Sequence, residues 1–212
     1  MDLVKLEQLA RELMGHRQTH NSREKGHIFF HGRRTGLLAR NLRPLVVPDT
    51  ASFDNLIYLG GLYHDLGKGI EPHARSGVLL AREVLKEYLT EKDLAIVLEI
   101  IEKHNTISGE DHPFYVKLIQ DADLLDHMGT LEVWLKFCYS SRRGESVENT
   151  LNYWKSDFYK KKLIKWRDRL NYEQARRIFA EKMNFLYEFI HRLERENNGE
   201  IINQEEIINA PE

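Results

Sequence analysis

Apolar residues recur at steps of three and four along most of the chain, and this spacing restricts the fold more than any other feature. Such steps place the apolar side chains on one face of an α-helix. No segment shows the strict alternation that is typical of a half-buried strand. The sequence therefore predicts an all-α protein, with clear helical periodicity in the segments 3–13, 74–88, 91–103, 114–128 and 171–194.

The length and composition predict one folded domain. A chain of 212 residues with 42% hydrophobic and 30% charged residues can bury a substantial core and has the profile of a globular protein. No apolar run reaches the length of a membrane span, and the N-terminus turns at once into an amphipathic pattern without the features of a secretion signal. We therefore expect a protein that acts in the cytoplasm and has no membrane partner.

Two function classes are disfavoured by charge and by cysteine content. The formal net charge of −2 argues against binding of long nucleic acids, which usually requires a strongly basic surface. Cys138 is the single cysteine, so no internal disulfide can form and a thiolate zinc site is not expected. We expect Cys138 to be an inert thiol in an aromatic segment.

The adjacent pair His64-Asp65 is the first candidate for chemistry. It follows an apolar helical segment that contains Gly60-Gly61, a pair that would allow close packing against a neighbour. A metal ion would explain why both polar groups lie at the end of an apolar helix. Histidine with aspartate suits a divalent ion such as Mn, Fe, Co, Ni or Mg. Alone, the pair is a weak signal, because such dipeptides are common on protein surfaces.

Other polar residues occur in order around this pair, each beside an apolar helical run. His31 opens the stretch His-Gly-Arg-Arg, and His73 and His104 follow the pair. The run Gln-Asp-Ala-Asp-Leu-Leu-Asp covers 120–126. With these motifs, nearly the whole chain resembles the HD-domain phosphohydrolases, and most closely a bacterial stand-alone subfamily with the motif Gln-Asp-Ala-Asp-x-Leu-Asp. Thr35 departs from the valine that is usual there.

The resemblance implies a fold, a cofactor and a set of ligands. It implies one helical domain over 1–195, with a metal-binding core at about 20–130 and a helical cap at about 131–195, followed by a polar tail over 196–212. The segment 140–146 is expected to be an exposed loop between core and cap. One metal ion would be bound in the core by His31, His64, Asp65 and Asp123.

Two questions about the ligands stay open at this stage. His73 and His104 could complete a second metal site; alternatively, His104 is a hydrogen-bonding lid residue and His73 caps the helix that begins at Ala74. Asp121 competes with Asp123, and the resemblance favours Asp123 as the ligand. The remaining histidines are expected to be surface or hydrogen-bonding groups: His16, His20, His27, His112, His127 and His191.

The predicted function is metal-dependent hydrolysis of a phosphate ester or phosphoanhydride, with a nucleotide as substrate and activated water as nucleophile. Asp65 or Asp121 would orient the water, and Lys68 would neutralise phosphate charge. The alternatives are a di-iron oxygenase of the same superfamily and a non-catalytic nucleotide-binding module; a homodimer is also compatible with the sequence. Four basic residues are candidates for binding further phosphates: Arg142, Arg143, Lys161 and Lys165.

Overall fold

The computed structural model describes residues 1–18, 23–106 and 111–201, and all regular structure within these ranges is helical. The prediction of an all-α fold is confirmed. None of the described helices is long and apolar enough to cross a bilayer. The α-helices are α1 Leu3–Met14, α2 His27–Val46, α3 Asp54–Tyr63, α4 His73–Leu85, α5 Glu91–Lys103, α6 Phe114–Asp126, α7 Thr130–Arg143, α8 Val147–Lys155, α9 Asp157–Asp168 and α10 Glu173–Asn197; a 3-10 helix spans Pro48–Phe53.

Helices α2 and α3 pack against each other through glycines. A Cβ atom built on Gly61 would lie 2.5 Å from the Cα of Gly36, and one built on Gly32 would lie 2.4 Å from the carbonyl oxygen of Leu62. Only residues without a side chain fit such an approach between two helix backbones. The close packing predicted for Gly60-Gly61 is present, and it holds His31 on α2 next to the end of α3.

The buried apolar residues form two clusters on either side of this helix pair. One cluster joins α1 with α3, α4 and α5, and there the hydroxyl of Tyr63 donates to the carbonyl of Leu6 at 2.8 Å. The other joins α6 with α8, α9 and the long α10 through residues such as Trp154 and Leu186. Thr35 is fully buried on α2, and its hydroxyl has no hydrogen-bond partner in the described ranges, so its methyl group fills the space that a valine would fill.

Asp121 fixes the start of α10 to α6. Its Oδ1 accepts hydrogen bonds from the backbone N–H of Asn171 at 2.7 Å and from the Asn171 amide at 2.8 Å. Its Oδ2 accepts one from the N–H of Tyr172 at 3.0 Å. The carboxylate is fully buried, so these donors replace the water that it loses. Asp121 therefore acts as a structural group that joins α6 to the start of α10.

Replacing Asp121 with alanine should destabilise the protein by about 2–4 kcal/mol, because two backbone N–H groups would lose their acceptor and the Asn171 amide would lose its shortest hydrogen bond. Urea unfolding followed by circular dichroism measures this free energy. Asp168, which is exposed at the end of α9, gives a matched control, and its alanine variant should match the wild type. Equal stability of the Asp121 variant and the control would contradict this role.

The structure corrects the predicted loop over 140–146 and describes only part of the predicted polar tail. The segment 140–146 is not a loop, because α7 continues to Arg143 and Ser140 is buried against Thr150. The turn is limited to three residues: Gly144 takes a left-handed conformation that ends α7, and Ser146 caps α8. Of the predicted polar tail, residues 202–212 lie outside the described residues.

Candidate metal centre

Five helices bring polar side chains to one small cavity of about 240 Å³, with His64 buried just behind its wall. His31 comes from the second turn of α2, and His64 and Asp65 follow directly after α3. His104 ends α5, and Asp123 lies on α6. Six residues that the sequence predicted for the site line the cavity: His31, Asp65, Lys68, His73, His104 and Asp123. Five further lining residues were not predicted: Arg23, His27, Ile28, Asn105 and His127.

His31 is held between two carboxylates. Its Nδ1 lies 2.7 Å from Oδ2 of Asp126, and its Nε2 lies 3.0 Å from Oδ1 of Asp123. Arg34 donates two hydrogen bonds to Asp126, at 2.8 and 3.0 Å. Burial opposes protonation of His31, but both carboxylates favour it and raise its pKa to about 10. Asp126 thus turns the ring so that Nε2 faces the cavity, a role that the sequence did not indicate.

His64 presents a buried nitrogen that lacks a partner. Its Nδ1 lies 2.7 Å from the carbonyl oxygen of Gly61, and since a carbonyl can only accept, Nδ1 carries the proton. In the neutral ring, Nε2 is then an acceptor. Nε2 is buried and has no hydrogen-bond partner within the described part of the chain. It lies 3.8 Å from Oδ2 of Asp65 and 3.9 Å from Oδ1 of Asp123.

Such a nitrogen fits a metal ligand. A buried acceptor without a partner costs about 1–3 kcal/mol, and a cation between His64 and the two carboxylates would remove this cost. Carboxylate oxygens and imidazole nitrogens are the donor types that Mn, Fe, Co and Ni accept, with carboxylates alone also suiting Mg. His31, His64 and Asp65 offer ligand atoms that all lie within 4.8 Å of one another. The residues present therefore fit a divalent cation.

A second set of ligand atoms adjoins the first through Asp65. Oδ1 of Asp65 lies 3.7 Å from Nε2 of His104 and 3.7 Å from Nε2 of His73. The Nδ1 of His104 donates to the carbonyl of Ile101 at 2.7 Å, and burial lowers the pKa of His104 to about 4, so its Nε2 keeps its lone pair. His73 is the first residue of α4 and follows Pro72 at the cap position, so it is not the cap that one reading of the sequence expected.

His127 is a site residue that the sequence analysis missed. It lines the cavity, its Nε2 lies 3.8 Å from Oδ1 of Asp123, and its ring centroid lies 4.8 Å from that of His31. Burial, and then the charge of His31, lower its pKa to about 3. The spacing of four residues between Asp123 and His127 was the available signal, because it places both on one face of a helix.

The turn after Asp65 is held by a residue far away in sequence. Arg17 donates one hydrogen bond to the carbonyl of Leu66 and one to the carbonyl of Lys68, both at 2.6 Å. Lys68 itself lines the cavity, with its Nζ 3.4 Å from Asp65. Arg17 therefore fixes the backbone that carries both Asp65 and Lys68, and nothing in its sequence context predicted this.

Several predicted site residues do not reach the cavity. Asp121 is not at its wall, because both of its oxygens face the start of α10. Lys161 and Lys165 are exposed on the outer face of α9, whereas Lys162 faces inward. One residue along a helix turns the side chain by about 100°, which explains the difference. Arg143 pairs with Glu145 and lines a second, larger cavity between α7 and α8, whereas Arg142 lines neither of the two cavities. His20 lies outside the described residues.

Comparison with known proteins identifies the fold around this cavity. The sequence model of the HD domain family matches residues 27–128, the span from the start of α2 to just beyond α6. Residues 27–128, just under half of the chain, are therefore similar to an HD domain. The resemblance to the HD domain that was read from the sequence is confirmed over this span, which contains all four residues predicted as ligands.

Solved structures extend the likeness to almost the whole chain. An HD-superfamily hydrolase from Bacillus thuringiensis superimposes with a TM-score of 0.65 at 23% identity, covering 92% of this chain and 98% of its own. Bacillus subtilis YpgQ in complex with ADP gives a TM-score of 0.62 at 20% identity, covering 90% and 97%. At these identities the likeness shows the fold: one HD-type helical domain that includes the C-terminal helices.

One curated relative also matches at the level of sequence. It is the uncharacterized YpgQ protein of Bacillus subtilis, which is 29% identical over 83 residues. The match spans 39% of this chain and 40% of the relative's length.

Replacing Asp126 with asparagine should weaken binding of Mn²⁺ by about 10- to 100-fold, because the His31 ring would lose the charge that orients it and makes it basic. Titration calorimetry on metal-free protein measures the affinity. Asp49, exposed in the 3-10 helix, provides an Asp-to-Asn control that should bind as the wild type does. Unchanged Mn²⁺ affinity in the Asp126 variant would show that metal binding by His31 does not depend on the Asp126 carboxylate.

Proposed function

We propose that this protein is a metal-dependent phosphohydrolase that cleaves a phosphate ester or phosphoanhydride bond of a nucleotide. The observation that carries the proposal is the buried, unpartnered Nε2 of His64 facing two carboxylates. We propose His31, His64, Asp65 and Asp123 as the ligands of one divalent ion. A second ion would bind His73 and His104 and share Asp65 with the first.

The chemistry follows from the groups that line the cavity. When bound, a divalent ion polarises a phosphoryl oxygen and lowers the pKa of water. Lys68 is placed to donate to a phosphoryl oxygen and to stabilise the charge that builds up there. Asp65 is left as the carboxylate that orients the attacking water, since Asp121 faces α10. Arg17 keeps Asp65 and Lys68 in register by fixing the turn between them.

The choice of a nucleotide has support from a relative. The YpgQ protein of Bacillus subtilis, which shares this fold, was crystallised in complex with ADP. A nucleotide offers the phosphate that the metal cavity suits, and the enclosed site has a lysine at its wall. We therefore propose nucleotides as the substrate class.

A hydrolysis screen tests this function. Purified protein is incubated with nucleoside mono-, di- and triphosphates and with cyclic dinucleotides, each with Mn²⁺, Co²⁺, Ni²⁺ or Mg²⁺, and the release of phosphate and pyrophosphate is measured. We expect metal-dependent release from at least one nucleotide and none in the presence of a chelator. Tight nucleotide binding without any product would contradict the proposal and favour a non-catalytic binding module.

Metal binding should strengthen as the pH rises from 6 to 8. In the metal-free protein the pKa of His31 is raised to about 10, so His31 carries a proton throughout this range and must release it from Nε2 to bind a cation. Neighbouring charges hold the pKa of Asp65 below its ordinary value, so it adds no competing proton. We expect affinity to rise by about tenfold per pH unit, the effect of one released proton.

Calorimetry in buffers of different ionisation enthalpy counts the protons released per bound Mn²⁺. About one proton is expected at pH 7 for the wild type, and fewer for a His31→Gln variant. Affinity that stays constant between pH 6 and pH 8 would contradict His31 as a ligand.

A further inference from the structure

A second and larger cavity adjoins the candidate metal cavity. Its volume is about 800 Å³, its walls come mainly from α7, α8 and α9, and Arg23 lines both cavities. Sites that enclose a drug-sized ligand have volumes of about 300–1,000 Å³, so the metal cavity of about 240 Å³ is too small for a whole nucleotide. A nucleotide with its phosphate at the metal ligands must place the rest of the molecule elsewhere, and the larger cavity is next to it.

Most of the charged groups in the larger cavity already have partners. Glu145 accepts from Lys136 at 3.0 Å and from Arg143 at 2.9 Å. The ammonium group of Lys136 also lies over the rings of Tyr139 and Tyr153, at 4.9 and 4.6 Å from their centroids. These groups therefore form a wall that is complete without a ligand.

Glu132 is the carboxylate of this cavity that lacks an ion pair with any described residue. It lies in the first turn of α7, lines the cavity and is only 7% exposed. Its Oε1 accepts one long hydrogen bond, from Nε1 of Trp154 at 3.4 Å, and this is the one hydrogen bond of ordinary geometry that the described residues give to the carboxylate. No described cation lies within ion-pair distance of it. Burial raises the pKa of Glu132, while Lys162 at the same cavity lowers it.

The hydroxyl of Tyr159 lies close enough to the Glu132 carboxylate to interact with it, but no hydrogen bond of ordinary geometry joins the two groups. Tyr159 is fully buried, and its hydroxyl makes no hydrogen bond within the part of the chain that the structure describes. Burial, and then the charge of Glu132, raise the pKa of Tyr159. Glu132 therefore keeps acceptor capacity towards the cavity, and hydrogen-bond donors from a ligand would satisfy it.

We propose that the larger cavity binds the non-reacting part of the nucleotide and that Glu132 recognises it by accepting hydrogen bonds. This inference rests on the proposed function for the position of the phosphate. The ligand chemistry is a hydrogen-bond donor, or an adjacent pair of donors, on a nucleoside. Ribose hydroxyls supply such donors, and so does the amino or ring N–H edge of a base. Arg23, where the two cavities meet, contacts the phosphate that joins the two parts.

Calorimetric binding of ADP in the presence of Mn²⁺ tests this site, because it needs no turnover. Glu132→Ala should weaken ADP binding by about 10- to 100-fold, the effect of losing hydrogen bonds to a charged acceptor. Glu132→Gln keeps the shape and an acceptor for Trp154, so it should fold even if the alanine variant does not, and it should weaken binding by about tenfold. Glu148→Gln, an exposed change on α8, should bind ADP as the wild type does.

Two analogues identify the donor. If the ribose hydroxyls donate, 2′-deoxy-ADP binds the wild type more weakly than ADP does, and the two bind the Glu132 variants equally. If the base donates, the nucleotide with hypoxanthine in place of adenine binds the wild type more weakly than ADP does, and the two bind the Glu132 variants equally. Either pattern supports the proposal.

Equal affinity of the wild type and the Glu132→Gln variant for all three nucleotides would overturn the proposal. This failure is distinguishable from failure of the proposed function. If the protein hydrolyses nucleotides but ADP affinity is the same in the Glu132 variants, the second binding site is wrong and the hydrolase function stands. If the Glu132 variants bind ADP more weakly but no nucleotide is hydrolysed, the binding site stands and the hydrolase function is wrong.

Discussion

His64→Ala should reduce metal-dependent hydrolysis to below about one-thousandth of the wild-type rate while the protein stays folded. The substitution removes the nitrogen that is buried without a partner between Asp65 and Asp123. Rates at saturating Mn²⁺ and nucleotide, with the metal content of the purified protein, measure the effect.

The control for this experiment is His191→Ala, since His191 is exposed on α10 and far in sequence from every proposed ligand. It should keep full activity and full metal content. Asp65→Ala should behave as His64→Ala does, with the additional loss of any second ion. If His64→Ala keeps more than about a tenth of the wild-type rate at ordinary metal concentration, His64 is not a ligand of the catalytic ion.

Gly61→Ala should destabilise the protein by about 3 kcal/mol and weaken metal binding as well. The new Cβ would lie 2.5 Å from the Cα and 2.6 Å from the N of Gly36. These are backbone atoms of α2, so they cannot swing aside as a side chain would. Relief requires α2 and α3 to move apart, and this movement separates His31 from His64.

Gly77→Ala is the matched control, because Gly77 also lies inside a helix, but the nearest atom to its Cβ is the Cγ2 of Ile101 at 3.1 Å. A small shift of that side chain, together with the better helix propensity of alanine, should leave stability within about 1 kcal/mol of the wild type. Thermal or urea unfolding and a Mn²⁺ titration of both variants give the comparison. Similar values for the two variants would show that the contact between α2 and α3 is not rigid.

The helices could be predicted from sequence because their periodicity is local. The segment 91–103 matches α5, and 114–128 differs from α6 only at its end. The segment 140–146 was misread, because a run of polar residues on the exposed side of a helix looks like a loop when the buried side is not known. The glycine contact between α2 and α3 was indicated by Gly60-Gly61, but its partner on α2 was not.

The candidate site was predictable only in part, for a physical reason. His31, His64, Asp65 and Asp123 were indicated by their order and by the family resemblance, since no local pattern brings four distant segments together. Residues that support the site through tertiary contacts carried no sequence signal of that role. They are Arg17 and Arg34 at the metal cavity, Asp126 behind His31, and Arg23, Glu132 and Lys162 at the larger cavity.

The position of a bound ion shows directly which residues are its ligands. Crystals of the protein grown with Mn²⁺ are measured at a wavelength where manganese scatters anomalously. We expect an anomalous peak coordinated by Nε2 of His64, Nε2 of His31 and the carboxylates of Asp65 and Asp123. A peak elsewhere, or a His64 ring whose Nε2 stays uncoordinated beside a bound ion, would contradict it.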